Sequence, residues 1–180
     1  MKTNNLLLNF VNKDSHPRER GRYWATDIFP IIKGYLKPKD FFTHKEIDLQ
    51  GARNIISGEA YESQWKEILE ANKIDFKYGN EIKKEIKITD KIILVVKPDF
   101  ETKNWVLETK YPTKPTNEIP EKWEYQLEAE FRATKKKVYL GIFEYPFNIK
   151  YLEYKPSEER WEFIKETLIK FDKKLQKIAE

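Results

Sequence analysis

Apolar and polar positions along this chain follow two periods, and the switches between them outline its elements. From about Gly58 to Asn72 the apolar residues Tyr61, Trp65, Ile68 and Leu69 recur at helical spacing, which makes one face of a helix. Ser57 stands where an N-cap belongs. Lys84 to Thr89, Lys91 to Lys97 and Asn104 to Tyr111 then read as strands, with Asp90 marking the first turn. Thr113 to Pro120 is a proline-rich loop, and the helical period returns from about Glu121 to Thr134. Val138 to Glu144 and Ile149 to Tyr154 are further strands, joined near Pro146-Phe147-Asn148, and Ser157 caps a long C-terminal helix. Before residue 50, Pro30 and Pro38 break an apolar stretch that begins at Tyr23, which predicts short helices or turns packed over the main body. The order helix, three strands, helix, two strands, helix predicts a mixed α/β plan with helices flanking a sheet.

Composition narrows the possibilities. A chain of 180 residues with 14% aromatic content has material for one domain with a real core. It contains no run of roughly eighteen apolar residues, so no membrane span is expected. The Leu6-Leu7-Leu8 patch is too short for a signal peptide, and the expected location is intracellular, in the cytoplasm. The lack of cysteine excludes disulfides, thiolate-bound zinc and iron–sulfur clusters. His16 and His44 are the only histidines and read as surface or turn residues, so any metal must be held mainly by oxygen. A net charge of +4 fits a polyanionic partner. The clearest basic patch is Lys135-Lys136-Lys137, which also suits the C-terminus of a helix. The Lys and Glu richness, with a single Met, suits a thermophilic source.

The candidate chemistry lies in Lys97-Pro98-Asp99-Phe100 and Val106-Leu107-Glu108-Thr109-Lys110. Strand side chains alternate, so Glu108 and Lys110 share a face and Thr109 points the other way. A hairpin between the two apolar runs, turning through Glu101 to Asn104, would bring Asp99 close to Glu108. Two carboxylates beside one ammonium suit a hard divalent cation and a positioned phosphate. A solvated hairpin with a chance E-x-K would carry the same letters, and the surroundings decide between the two. At about 100° per residue, Glu62 falls about 20° from Leu69 and borders the apolar stripe of the first helix. Glu59 falls on the opposite, solvated side. A carboxylate in the position of Glu62 needs a metal, a lysine such as Lys66, or a route to water. In the second helix, Trp123, Leu127, Phe131 and Thr134 define an inward face. Glu130 sits within it and Gln126 at its edge. Glu130 would touch a metal shell, orient Lys110, or make a structural hydrogen bond.

The series Gly58-x-x-x-Glu62 on a helix, Pro98-Asp99, eight residues, Glu108-Thr109-Lys110, then Tyr125-Gln126-Leu127 on the next helix resembles the PD-(D/E)XK nuclease superfamily. Within it the chain is similar to the RecB-like branch, which includes CRISPR-associated RecB-like and archaeal viral nucleases. The segment Arg22 to Ile28 looks like the entry segment of those proteins, and the resemblance covers roughly residues 20 to 155. The chain differs in carrying Glu130 where the branch has Tyr and Glu62 where CRISPR-associated members often have His, and in lacking the iron–sulfur cysteines.

The resemblance implies a restriction-endonuclease-like core with a mixed central sheet flanked by helices. It implies a single nuclease domain over 1–180, with an N-terminal segment 1–55, a catalytic core 56–155 and a C-terminal helix 156–180. Asp99 and Glu108 would bind Mg2+ or Mn2+, with the Thr109 carbonyl as a further ligand and Glu62 direct or through water. Lys110 would orient or help deprotonate a water, and Gln126 would position the nucleic acid or Lys110. The reaction would be hydrolysis of DNA phosphodiesters, on single strands or strand ends, leaving a 5′-phosphate and a 3′-hydroxyl. Tyr111, Trp123 and Tyr125 flank the proposed site and could stack unpaired bases or serve as core.

The C-terminal helix carries Trp161, Ile164, Leu168, Phe171, Leu175 and Ile178 as a heptad-like seam. Packing on its own sheet is the default use of that seam, and a homodimer is the alternative. A dimer would suit a Holliday-junction or structure-specific endonuclease. A third reading is a catalytically inactive nucleic-acid-binding module, against which the intact set of Glu62, Asp99, Glu108 and Lys110 argues.

Overall fold

The computed structural model describes residues 18–43, 47–112, 114–144 and 148–179. Two hydrogen-bonded sheets form the body. The smaller has the order β1 (Arg22–Trp24), β4 (Ile92–Val96), β3 (Lys84–Thr89). The larger runs β2 (Lys77–Tyr78), β5 (Phe100–Glu101), β6 (Trp105–Lys110), β7 (Lys137–Glu144), β8 (Asn148–Glu153). Both are mixed, since β1 with β4 and β6 with β7 are parallel and the other pairs antiparallel. Among the described residues four α-helices accompany them: α1 (Ile28–Ile32), α2 (Leu49–Ala71), α3 (Glu121–Thr134) and α4 (Glu158–Ala179). The expected mixed sheet flanked by helices is present. Among the described residues no helix is long and apolar enough to cross a membrane.

Three differences from the sequence expectation have identifiable causes. First, β4 does not pair with β6. Pro98 has no N–H to donate to a ladder and pushes Lys97 out of helical space. The chain therefore leaves the smaller sheet there and enters the larger one as β5. The hairpin is β5–β6, Glu101 belongs to its strand, and Thr102 closes the turn by accepting at Oγ1 from the backbone N–H of Trp105 at 3.1 Å. Second, the first long helix begins at Leu49. Its cap is Asp48, whose carboxylate accepts from the Gly51 N–H at 2.7 Å, so Ser57 lies inside the helix. Third, the segment before residue 50 contributes strand β1 as well as short helical turns. Its Tyr23 is fully buried. The two histidines and Leu6-Leu7-Leu8 lie outside the described residues.

The larger sheet is covered on both faces. On one, Val106, Val138, Leu140 and Ile142 pack against Leu127 of α3. On the other, Leu107 and Phe143 pack against Trp65 and Leu69 of α2. Gly141 allows the second contact, since a Cβ there would meet the Trp65 ring at 2.9 Å. The seam of α4 is spent within the chain: Ile164, Leu168, Phe171 and Leu175 are buried in a cluster with Tyr23, Ile92, Leu94 and Tyr125.

Helix α3 is the parallel crossover between β6 and β7 and is wedged between sheet and helices. Six successive residues, Tyr125 to Glu130, are buried. Lys135 ends it in a left-handed conformation with φ 58°. The three-lysine patch is divided after that point. Lys136 reaches inward to Glu101 at 2.7 Å, while Lys137 opens β7 and pairs with Glu153 at 3.3 Å.

Candidate active site

The break at Pro98 delivers Asp99 to the larger sheet beside β6. Its Oδ2 accepts from the Thr109 N–H at 2.7 Å and from the Thr109 hydroxyl at 2.6 Å. Thr109 thus fixes the aspartate with donors. Glu108 and Lys110, two residues apart on one strand, face α3 together, as alternation predicts. The Lys110 ammonium donates to Glu108 Oε1. Glu108 is only 3% exposed, and its Oε2 is buried with no fixed donor. From α3, Glu130 is fully buried. Its Oε1 accepts from Gln126 Nε2 at 3.1 Å; its Oε2 meets no fixed donor, and the carboxyl lies within hydrogen-bonding reach of Glu108, so that a proton held on Glu130 joins the two. Glu62 of α2 completes the group. It is half-buried, lies within electrostatic reach of Glu108, Lys97 and Lys110, and lines a cavity of about 220 Å³ with Ser63, Lys66 and Tyr78. Glu59, expected to be solvated, is exposed.

The charges strain against one another. Burial and the neighbouring Glu108 carboxylate push Asp99 up to about 8. Burial and Glu108 also raise Glu62, and for the same reasons Glu130 is held well above the usual carboxylate range. Burial pulls Lys110 down, but Glu108, Asp99 and Glu130 outweigh it and hold the ammonium above its ordinary value. Four acidic side chains thus converge on Lys110, with Lys97 near Glu62 as the second cation.

Among the described residues, no three Asp, Glu or His side chains stand as a ready-made metal cage. The donor set nonetheless suits a hard divalent cation. Mg2+ needs only one or two carboxylates and keeps several waters. The orphaned oxygen of Glu108, deep in a group of like charges, is a position such a cation would satisfy.

All the residues singled out from sequence therefore meet at this site: Asp99, Glu108, Thr109 and Lys110 on the larger sheet, Glu62 from α2, and Gln126 with Glu130 from α3. The stacking candidates separate. Tyr125 is buried, with its hydroxyl donating to Glu121 at 3.1 Å. Trp123 is half-buried and lies under the Lys122 ammonium. Tyr111 stacks on Tyr61 with ring centroids 4.1 Å apart. Lys97 had not been singled out, and its place just before Pro98-Asp99 was the available signal.

No family model and no curated protein matches the sequence. Solved structures do match. The crystal structure of SSO0001 aligns with a TM-score of 0.72 and 19% identity, over 98% of this chain and 87% of that one. An alkaline exonuclease (LHK-Exo) from Laribacter hongkongensis aligns with a TM-score of 0.66 and 10% identity, over 87% and 89%. The chain shares the fold of this exonuclease. The same exonuclease in complex with dAMP aligns with a TM-score of 0.61 at 10% identity. In this fold the candidate carboxylates lie where β5, β6, α2 and α3 converge.

Proposed function

We propose that this chain is a metal-dependent nuclease that hydrolyses DNA phosphodiesters at strand ends or in single strands, working inside the cell. The observation that carries the reading is the convergence of Glu62, Asp99, Glu108 and Glu130 about Lys110, with Glu130 and Glu108 close enough to share a proton. A divalent cation can take the place of such a proton, since it too satisfies converging carboxyl oxygens. Asp99 and Glu108 would hold Mg2+ or Mn2+, with the Thr109 carbonyl and Glu62 completing the shell. When bound, the cation lowers the pKa of a water and offsets charge on the phosphate.

The chain's own groups do the rest. Thr109 fixes Asp99 through two hydrogen bonds. Lys110, held cationic by its acidic neighbours, orients the attacking water and stabilises charge developing on the phosphoryl oxygens. Gln126 and Glu130 brace the buried side of the pair. The position of Gln126 on the helix after E-x-K supports the RecB-like branch of the PD-(D/E)XK superfamily. Similarity to an alkaline exonuclease, one form of which binds dAMP, supports strand ends over internal sites.

The test is cleavage of end-labelled single-stranded, duplex and four-way-junction DNA with Mg2+, Mn2+ or EDTA, for wild type and Glu108→Ala. Cutting that requires metal and falls by at least roughly a hundredfold in the variant is expected. Retained DNA binding with no cutting on any substrate would leave a binding module instead.

A further inference from the structure

Helix α2 covers only part of its face of the larger sheet. Past its C-terminal end, Trp105 of β6, Tyr139 of β7 and Tyr151 of β8 stand in series on adjacent strands. Trp105 and Tyr139 meet edge to face at 6.2 Å and 87°, and Tyr139 and Tyr151 at 6.0 Å and 88°. Tyr151 is 69% exposed. The three rings border a cavity of about 440 Å³ whose walls include Trp65 and Asn72. That size is ample for a planar organic group, and a mainly apolar lining with a few polar groups is the usual character of a ligand site.

One polar group at its edge is open to an occupant. Asn72 is exposed and spends its amide on the Ile68 carbonyl at 2.8 Å, which leaves its own carbonyl oxygen for a donor. A flat ring with a donor on its edge answers it, and a nucleobase is such a ring.

The charges at the rim select among occupants. Lys73 follows Asn72, and Lys103 precedes Trp105 by two residues; both are exposed, and neither forms an ion pair among the described residues. Lys137 lies across from Trp105 in the parallel ladder, is exposed, and pairs with Glu153 and the Tyr139 hydroxyl; exposed pairs of this kind are worth little. Asp75 and Glu153 are the opposing acids. Aromatic rings bordered by exposed lysines suit an unpaired polyanionic strand, whose bases stack while the phosphates meet the cations. A second copy of the chain would bring the same lysines against themselves.

We infer that this aromatic shelf binds unpaired nucleic-acid bases, apart from the candidate active site. The shelf lies on the α2 face of β6, whereas Glu108 and Lys110 face α3. Along the strand, Trp105 and Glu108 are about 10 Å apart. The inference rests on the nucleic-acid reading above, but its test needs no cutting.

Fluorescence anisotropy with a labelled oligothymidylate and a matched duplex, in EDTA, measures binding alone. Tyr151→Ala and Lys103→Glu change exposed side chains and leave the fold intact. Each is expected to weaken single-strand binding, Tyr151→Ala by roughly five- to a hundredfold, with duplex binding and metal-dependent cutting of a short substrate unchanged. Photocrosslinking of an iodouracil-bearing strand should label Tyr139 or Tyr151. Unchanged single-strand affinity in both variants would overturn the inference. So would a concentration-dependent dimer in sedimentation that Tyr151→Ala abolishes, since the face would then serve a second copy. Loss of cutting in Glu108→Ala with shelf binding intact separates this site from the nuclease reading.

Discussion

Helix α3 buries two glutamates two residues apart, and they are opposites. Glu128 and Glu130 are both fully buried. Glu128 accepts from Arg132 Nε at 2.7 Å, from the Ser157 N–H at 2.8 Å and from the Tyr154 hydroxyl. It ties α3 to the start of α4, and every oxygen is satisfied. Glu130 has one fixed donor, Gln126, and is otherwise held by burial and by the neighbouring Glu108 and Asp99 well above the usual carboxylate range, with Glu108 in position to share its proton. A buried carboxylate is costly unless paired. The first is compensated and reads as structure; the second is held protonated beside Lys110 and reads as part of a site.

Substitutions at the two positions should diverge. The largest effect is expected for Glu128→Ala, which removes the buried acceptor shared by Arg132, Tyr154 and the Ser157 N–H and leaves Arg132 only its exposed partner Glu158; it should cost about 3–5 kcal/mol in chemical denaturation. The folded fraction should keep its activity. Glu130→Gln should do the reverse. It replaces a carboxyl already held protonated by a neutral amide that can still donate to Glu108, so stability should hold, while cleavage falls roughly 10- to 100-fold, as for residues that orient metal ligands. If both variants lose stability equally, the contrast is wrong and Glu130 is structural. Tyr154→Phe removes one donor from the satisfied glutamate and should cost about 1.5–3 kcal/mol, with no change in cutting.

The smallest expected effect is on pH dependence. Asp99, raised from 3.8 to about 8, binds its proton more tightly folded than unfolded. The metal-free protein should therefore lose stability as pH rises from about 4 through about 8. Added Mg2+ should restore a few degrees of melting temperature, more at the alkaline end, because a cation there replaces a proton. In Asp99→Asn the slope should flatten; a slope that persists would belong to another group.

Much of the site was legible because strand alternation is rigid. Once Glu108, Thr109 and Lys110 lie on a strand, the shared face of Glu108 and Lys110 is fixed. The route that brings Asp99 to them was not legible. Two apolar runs with a short polar link look like a hairpin, and only the missing N–H of Pro98 hints that the chain changes sheets. Ser57-Gly58 resembled a helix start because Gly58 follows it, yet an earlier acid, Asp48, caps a helix whose exposed first turns carry little apolar pattern. Glu128 escaped notice for a different reason. Helix α3 is buried between the sheet on one side and α4 on another, so no single apolar stripe describes it.

The change of sheet at Pro98 also bears on when this chain could cut. Asp99 comes off the end of one sheet and Glu108 from within the other, while Gln126 and Glu130 arrive on the crossover that follows. A chain emerging from the ribosome can display Asp99, Glu108 and Lys110 and still hold no site, because nothing yet presses them together. The last part of that clamp is synthesised late, when β7 gives α3 something to pack against. In the proposed nuclease, no complete site would then exist before the fold is finished.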